Sequence, residues 1–439
     1  MPSARRATDG RLRVLPRKGC ARRAPLRRWA TVPRSSRLYG RGRGRQGSRA
    51  PAPGSFTVTP TTSPPERLPS LTGLRFVAAF GVYLCHAVFL GLRGRAWIPT
   101  ELLGPLAVSL FFILSGFVLT RFARPGDTAR AFWRRRVVKI YPNHLTVLVL
   151  FMIYFMVVGM AVRPSGSVLM LVPGILLVHT WLPNYTLIGS GNIVSWSLAC
   201  EVFFYLLFPL LLALVRRIPP RRLAAAAVCT AAAVWTVPVV SYALDGAPLP
   251  GFPWPVPRDQ LWFAYFLPVC RLPEFVLGII LATGMRSGGC TRRVGMWASS
   301  ALLLTSLVLG ATVLPTVFLF AAVGVVPLTL LIRATAALDL RGARSPLRTP
   351  VMVFLGEISY AFYLVHTLAL LVVYHFIGDA WSGLATGVLG LPVALLMAWL
   401  LYTLVEQPCM RRFARRRRPV TSPAPARARA DSEQPGKSA

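Results

Sequence analysis

The chain has 439 residues, 54% of them hydrophobic, and a mean hydropathy of +0.55, too apolar for a soluble protein that must cover its core with polar surface. Its formal charge of +36 raises the possibility of nucleic-acid binding, but much of the excess lies in residues 1–67 and 411–428 and the rest mainly in short loops between apolar runs. That distribution argues against a nucleic-acid partner and for a lipid bilayer. The seven cysteines form no CxxC and no Cys/His cluster, so neither a disulfide framework nor a metal site is expected.

Residues 1–67, rich in Arg, Pro, Gly, Ser and Thr, cannot bury enough apolar surface to offset chain ordering and are expected to form a disordered basic tail. No apolar core of signal-peptide length precedes Leu68, so the first span is expected to act as the insertion signal. Eleven apolar segments follow, at about 70–92, 102–121, 140–161, 168–182, 196–215, 223–243, 261–284, 295–312, 316–333, 351–376 and 384–406. Runs such as 140–161 are long enough to cross a hydrocarbon core of about 30 Å at about 1.5 Å per residue.

Charge assigns the sides. The loops with Arg124, Arg130, Arg134, Arg135, Arg136 and Lys139, with Arg216, Arg217, Arg221 and Arg222, and with Arg341, Arg344 and Arg348 are expected in the cytoplasm. Segment 168–182, short and broken by Pro173-Gly174, then cannot cross and is expected to be re-entrant. The expected fold class is all-α: a polytopic integral membrane protein of the cell (cytoplasmic) membrane, with about ten transmembrane helices plus one re-entrant segment and both termini cytoplasmic. The membrane part covers 68–410, and 411–439 is expected to be a second disordered basic tail, its Arg411 to Arg418 stripe suited to an anionic leaflet.

Ionisable groups inside spans are costly and stand out: Arg75 and His86 in the first segment, Glu201 before Tyr205 in the fifth, Glu274 in the seventh, and Glu357 and His366 in the tenth. Eleven residues separate Arg75 from His86, three helical turns plus about 20°, which places both on one face about 16 Å apart. His366 shares a stripe with Ser359 and Tyr363, and Glu201 pairs with Tyr205 at i,i+4. Together these residues could line one polar cavity. A neutral His near a carboxylate suits general-base work on a hydroxyl, Glu201 holding the tautomer of His86; the alternative is interhelical hydrogen bonding alone. Ser109 and Ser115 read as helix-packing residues, and Glu274, Glu357 and Glu406 as structural or water-reaching carboxylates.

Several motifs stand in a fixed order: Leu71-Thr-Gly-Leu-Arg75 through His86, Ser109 to Phe117, Arg134 to Pro142, Trp196-Ser-Leu-Ala-Cys-Glu201 with Phe204-Tyr205, Arg271 to Phe275, Ser359-Tyr360 with Tyr363 and His366, and Glu406-Gln-Pro408. Over residues 68–410 they resemble the acyltransferase-3 family of integral-membrane O-acyltransferases. The resemblance implies transfer of an acyl group, commonly acetyl, from acyl-CoA to a hydroxyl of a carbohydrate or a secondary metabolite such as a macrolide. Acyl-CoA is then a co-substrate, with no bound cofactor. It further implies that His86 is catalytic and Arg75 its motif partner; by their helix stripes Tyr205, Tyr363 and His366 are expected at the substrate, and Arg136 and Lys139 at the phosphates of the donor. The family's Arg-x-x-Arg element maps onto Arg136-Val-Val-Lys139, where Lys139 keeps the charge without the guanidinium fork. A transporter or flippase of a glycan or natural product also fits ten spans with buried charges, but the ordered motifs favour an enzyme.

Overall fold

The computed structural model describes residues 68–92, 102–124, 126–158, 171–189, 191–249, 254–287, 294–377 and 383–414. They form α1 (Pro69–Leu92), α2 (Leu103–Arg121), α3 (Ala129–Val157), α4 (Val172–Ile175), α5 (Tyr185–Ile188), α6 (Ser195–Arg216), α7 (Leu223–Ser241) and α8 (Arg258–Leu261). There follow α9 (Pro268–Arg286), α10 (Met296–Val313), α11 (Thr316–Leu319), α12 (Ala322–Leu340), α13 (Pro350–Ile377), α14 (Gly383–Leu401) and α15 (Gln407–Phe413). Single π-turns at Trp262–Phe266 and Tyr402–Glu406 join α8 to α9 and α14 to α15. Among the described residues there is no strand, and ten helical stretches are long and apolar enough to span a membrane. The chain is a polytopic all-α membrane protein.

Two boundaries differ from the sequence reading, at the start of the third span and at the end of the last helix, while segment 168–182 does not cross, as expected. The third span starts at Ala129 rather than near 140: Thr128 caps it by accepting a bond from the Ala131 amide at 3.3 Å. Arg is a good helix former, so the basic run Arg130 to Lys139 extends the helix instead of forming a loop. Segment 168–182 forms no span; from Leu171 onward it holds only the single turn of α4, and Leu177 adopts a left-handed φ of 57° just beyond it. The last helix runs through Arg411 and Arg412 to Phe413, past the expected boundary at 410. The remainder of both expected tails, residues 1–67 and 415–439, and residues 159–170 lie outside the described residues.

Burial orders the bundle. In α13 78% of the apolar stretch is buried and in α2 72%, against 11% in α10, so α2 and α13 are central and α10 faces lipid. Met156 is 81% exposed and Phe376 82%, as expected where hydrocarbon replaces water. Helix α1 packs between α2, α13 and α14, and α2 packs on α9. The second contact is a backbone approach: a Cβ at Gly116 would sit 2.0 Å from the Phe275 carbonyl oxygen, and one at Gly278 1.9 Å from that of Ile113. Small residues give such spans their van der Waals contact. The same helix pair buries Arg271 with Glu274, each 1% exposed and bonded at 2.6 Å, and Arg271 also donates to Ser109 Oγ at 3.0 Å. Ser109 donates in turn to the Phe320 carbonyl, so Ser109 and Glu274 hold the bundle together.

Candidate active site

Helical periodicity brings four stripes to one cavity. Arg136 and Lys139 project from α3, Ser197, Glu201 and Tyr205 from α6 at successive steps of four, Ser359, Tyr360 and Tyr363 from α13, and Arg75 from α1. Phe111, Phe112 and Ser115 of α2 form the remaining wall around a space of about 150 Å³. A wider vestibule of about 940 Å³ adjoins it, walled by Arg124, Arg135, Arg136 and Arg216. Val118, Leu119 and Arg136 line both spaces, so Arg136 stands at their junction.

The basic side chains are not equivalent. Arg135 is clamped through both terminal nitrogens by Asp127. The Lys139 ammonium donates to Glu406, which is 3% exposed and also accepts from Asn143 Nδ2 at 2.8 Å. Glu406 is therefore a buried partner and not a carboxylate reaching for water. Arg136 lies against the rings of Phe132 and Tyr205, at 5.7 and 5.9 Å, and its Nε is buried with no hydrogen-bond partner. Glu201 feels the charges of Arg75, Arg136 and Lys139. With Lys139 neutralised by Glu406, two guanidinium groups face one carboxylate, and the cavity carries an excess of positive charge suited to an anionic ligand.

His86 and His366 do not line this cavity; they form a pair in the next layer of the bundle, beyond Tyr363. Their rings lie 5.1 Å apart, with His86 Nδ1 3.2 Å from His366 Nε2. Carbonyl oxygens touch both Nδ1 atoms, Val82 at 3.0 Å on His86 and Tyr363 at 2.7 Å on His366. The Tyr363 hydroxyl is 2.7 Å from Ser197 Oγ, and the Tyr363 ring packs on His366, so Tyr363 stands between the cavity and the imidazole pair.

Of the residues expected to share one polar cavity, Arg75, Glu201, Tyr205, Ser359 and Tyr363 line it, Arg136 and Lys139 join them, and His86 and His366 lie outside it. The expected pairing of Glu201 with His86 is replaced: among the described residues the side-chain partner of His86 is His366, and Glu201 sits with the cations. The distance along α1 explains this, because Arg75 and His86 stand three turns apart and meet different layers. Sequence reasoning passed over Ser197, although its steps of four to Glu201 and Tyr205 marked it, and Asn143, which follows Lys139 by four. Among the described residues no disulfide forms, and no group of three or more His, Cys, Asp or Glu is placed to hold a metal ion.

The acyltransferase domain of the acyltransferase-3 family matches residues 68–403. The chain is 45% identical to the acyltransferase MdmB of Streptomyces mycarofaciens over 377 residues, 82% of this chain and 96% of that protein. It is 27% identical over 176 residues to the O-acetyltransferase OatA of Staphylococcus aureus (strain NCTC 8325 / PS 47), 36% of this chain and 27% of that protein. No solved structure matches. The helical membrane fold, the ordered motifs and the matched domain lead to one conclusion: this chain belongs to the acyltransferase-3 family and is a membrane-embedded acyltransferase.

Proposed function

We propose that the enzyme moves an acyl group, acetyl in the simplest case, from acyl-CoA to a hydroxyl of a sugar or of a secondary metabolite such as a macrolide. The observation that carries this reading is Arg136 at the join of a wide basic vestibule and a narrow polar cavity. At about 940 Å³ the vestibule suits a nucleotide with phosphates. The inner cavity of about 150 Å³ admits only the thin acyl-thioester end. The end of the bundle that carries Arg134 to Lys139 faces the cytoplasm by the positive-inside rule, where acyl-CoA is found. A phosphate there meets the Arg136 guanidinium, whose Nε has no partner and which offers a fork of donors.

His86 supplies the base. Both Nδ1 atoms face carbonyl oxygens, which can only accept, so Nδ1 of His86 carries the proton and Nε2 keeps its lone pair. Nε2 takes the proton of the acceptor hydroxyl as its oxygen attacks the thioester carbonyl. The carbon–sulfur bond then breaks, and the departing thiolate takes that proton from His86 Nε2–H. Acceptor hydroxyl and acyl-CoA thus give ester and free CoA, with His86 restored. Glu201 keeps Arg75, Arg136 and the Tyr205 hydroxyl in place within the cavity, and Tyr363 is the first side chain the acyl end meets on its way to His86.

Purified protein in nanodiscs is mixed with acetyl-CoA and a panel of macrolides and sugars, and free thiol is followed by a colorimetric reagent. Thiol release that requires one acceptor class supports the reading and names the class. Neither release nor a thermal shift with acetyl-CoA, where ligand at 100 times Kd adds about 2.7 kcal/mol, contradicts it.

A further inference from the structure

We infer that His366 is a positioning residue for His86: it accepts the His86 Nδ1–H, turns the bare Nε2 toward the acceptor, and stabilises the imidazolium that forms there. This rests on the general-base reading above and deepens it.

The hydrogen-bond directions follow from the carbonyls. Tyr363 O accepts from His366 Nδ1 at 2.7 Å, so in the neutral ring His366 Nε2 is a lone-pair acceptor. That lone pair lies 3.2 Å from His86 Nδ1, whose proton it shares with Val82 O at 3.0 Å. Val82 O belongs to the same helix as His86 and lies four residues back, where it also serves the backbone ladder. His366 is thus the interhelical acceptor, on a different helix, and fixes the imidazole relative to α13. When His86 gains a proton on Nε2, its Nδ1–H becomes a charge-assisted donor and the bond to His366 strengthens, while His366 itself stays neutral.

The surroundings hold His366 in place. It is fully buried, stacks on Phe362 at 6.1 Å and 22°, and meets the edge of Tyr83 at 6.2 Å. The titratable neighbours of the pair are Tyr83 and Cys85 on α1 and Tyr363 on α13; among the described residues neither imidazole bonds to a carboxylate. A neutral histidine here occupies the place that a carboxylate takes in a Ser-His-Asp triad.

Two arms test the role in full-length protein in nanodiscs. In the first, histidine ring nitrogens are labelled and read by NMR, with the five histidines assigned by single substitutions. The expected result is His86 protonated on Nδ1 and bare on Nε2; a proton on Nε2 in the wild type overturns the inference. In the second, kcat and KM are compared for His366→Leu, which removes the acceptor, and His366→Gln, whose amide oxygen can replace it, both at wild-type thermal stability. His366→Leu is expected to lower kcat about a hundredfold or more with KM unchanged, and His366→Gln to recover most of it. An unchanged kcat in His366→Leu, or equal losses in both variants, overturns it. The first arm needs no turnover, so an enzyme that fails to transfer acyl groups defeats the functional reading while the tautomer still decides this one.

Discussion

Replacing Lys139 with Met removes the ammonium from the pair it forms with Glu406 and keeps most of the side-chain volume. Glu406 is 3% exposed, so its carboxylate would be left with the Asn143 amide alone. Removing one partner of a buried pair costs about 3–5 kcal/mol. The Lys139 side chain is 26% exposed toward the cavity, so water already shares its charge, and the lower end, about 3 kcal/mol, is expected. Glu406→Gln leaves an ammonium that cavity water and the new amide can meet, at about 1–2 kcal/mol. The double variant has no unpaired charge and is expected within about 1 kcal/mol of wild type, a coupling of about 3 kcal/mol. The assay is unfolding by SDS in mixed micelles, followed by tryptophan fluorescence. Additive losses would refute the buried ion pair. The same double variant separates structure from recognition: with Lys139 committed to Glu406, its KM for acetyl-CoA is expected to stay within about threefold. Arg136→Ala is expected to raise that KM by about tenfold or more, the worth of one hydrogen bond to a charged group. A tenfold rise in the double variant, with no effect at Arg136, would move donor recognition to Lys139.

Two further outcomes follow from packing and from protonation. A Cβ at Gly356 would lie 2.0 Å from the Thr72 carbonyl oxygen, so Gly356→Ala should force α1 and α13 apart and cost about 1–3 kcal/mol, read as a lower melting temperature; an unchanged value would contradict the close approach of these helices. Burial, with His144 second, pushes the His179 imidazole down to about 4. Above pH 6.5 folded and unfolded chains both hold it neutral, and as pH falls toward 4 only the unfolded chain takes up the proton. Stability should therefore drop by about 2 kcal/mol at pH 5, and His179→Gln should remove that share of the slope; an identical slope in the variant would refute it.

Spans were legible because hydrocarbon demands long apolar runs, and the buried charges stood out against them. The stripes on α6 and α13 were legible too, since 3.6 residues per turn fixes which side chains share a face. The relative phase of two separate helices is not contained in either one's periodicity. Depth alone put Glu201 beside His86; the rotation of α13 against α1 puts His366 there instead. Between the structural and the water-reaching alternatives for Glu406 the periodicity could not choose, for a related reason. The π-turn at Tyr402–Glu406 adds a residue to the turn and shifts the helical phase, which accompanies a carboxylate directed at Lys139 and Asn143 rather than at water. Arg136 and Lys139 were assigned to a loop because apolar content defined the span, whereas the Thr128 cap begins the helix about two turns before Arg136 and about three before Lys139.

Acyl transfer through His86 is tested most directly by single-turnover transfer of a radiolabelled acetyl group from acetyl-CoA to the identified acceptor, with wild type and His86→Ala compared in nanodiscs at matched thermal stability. His86→Ala is expected still to bind acetyl-CoA, through Arg136, and to lose transfer by at least about a hundredfold. Transfer at the wild-type rate in His86→Ala would contradict catalysis through His86.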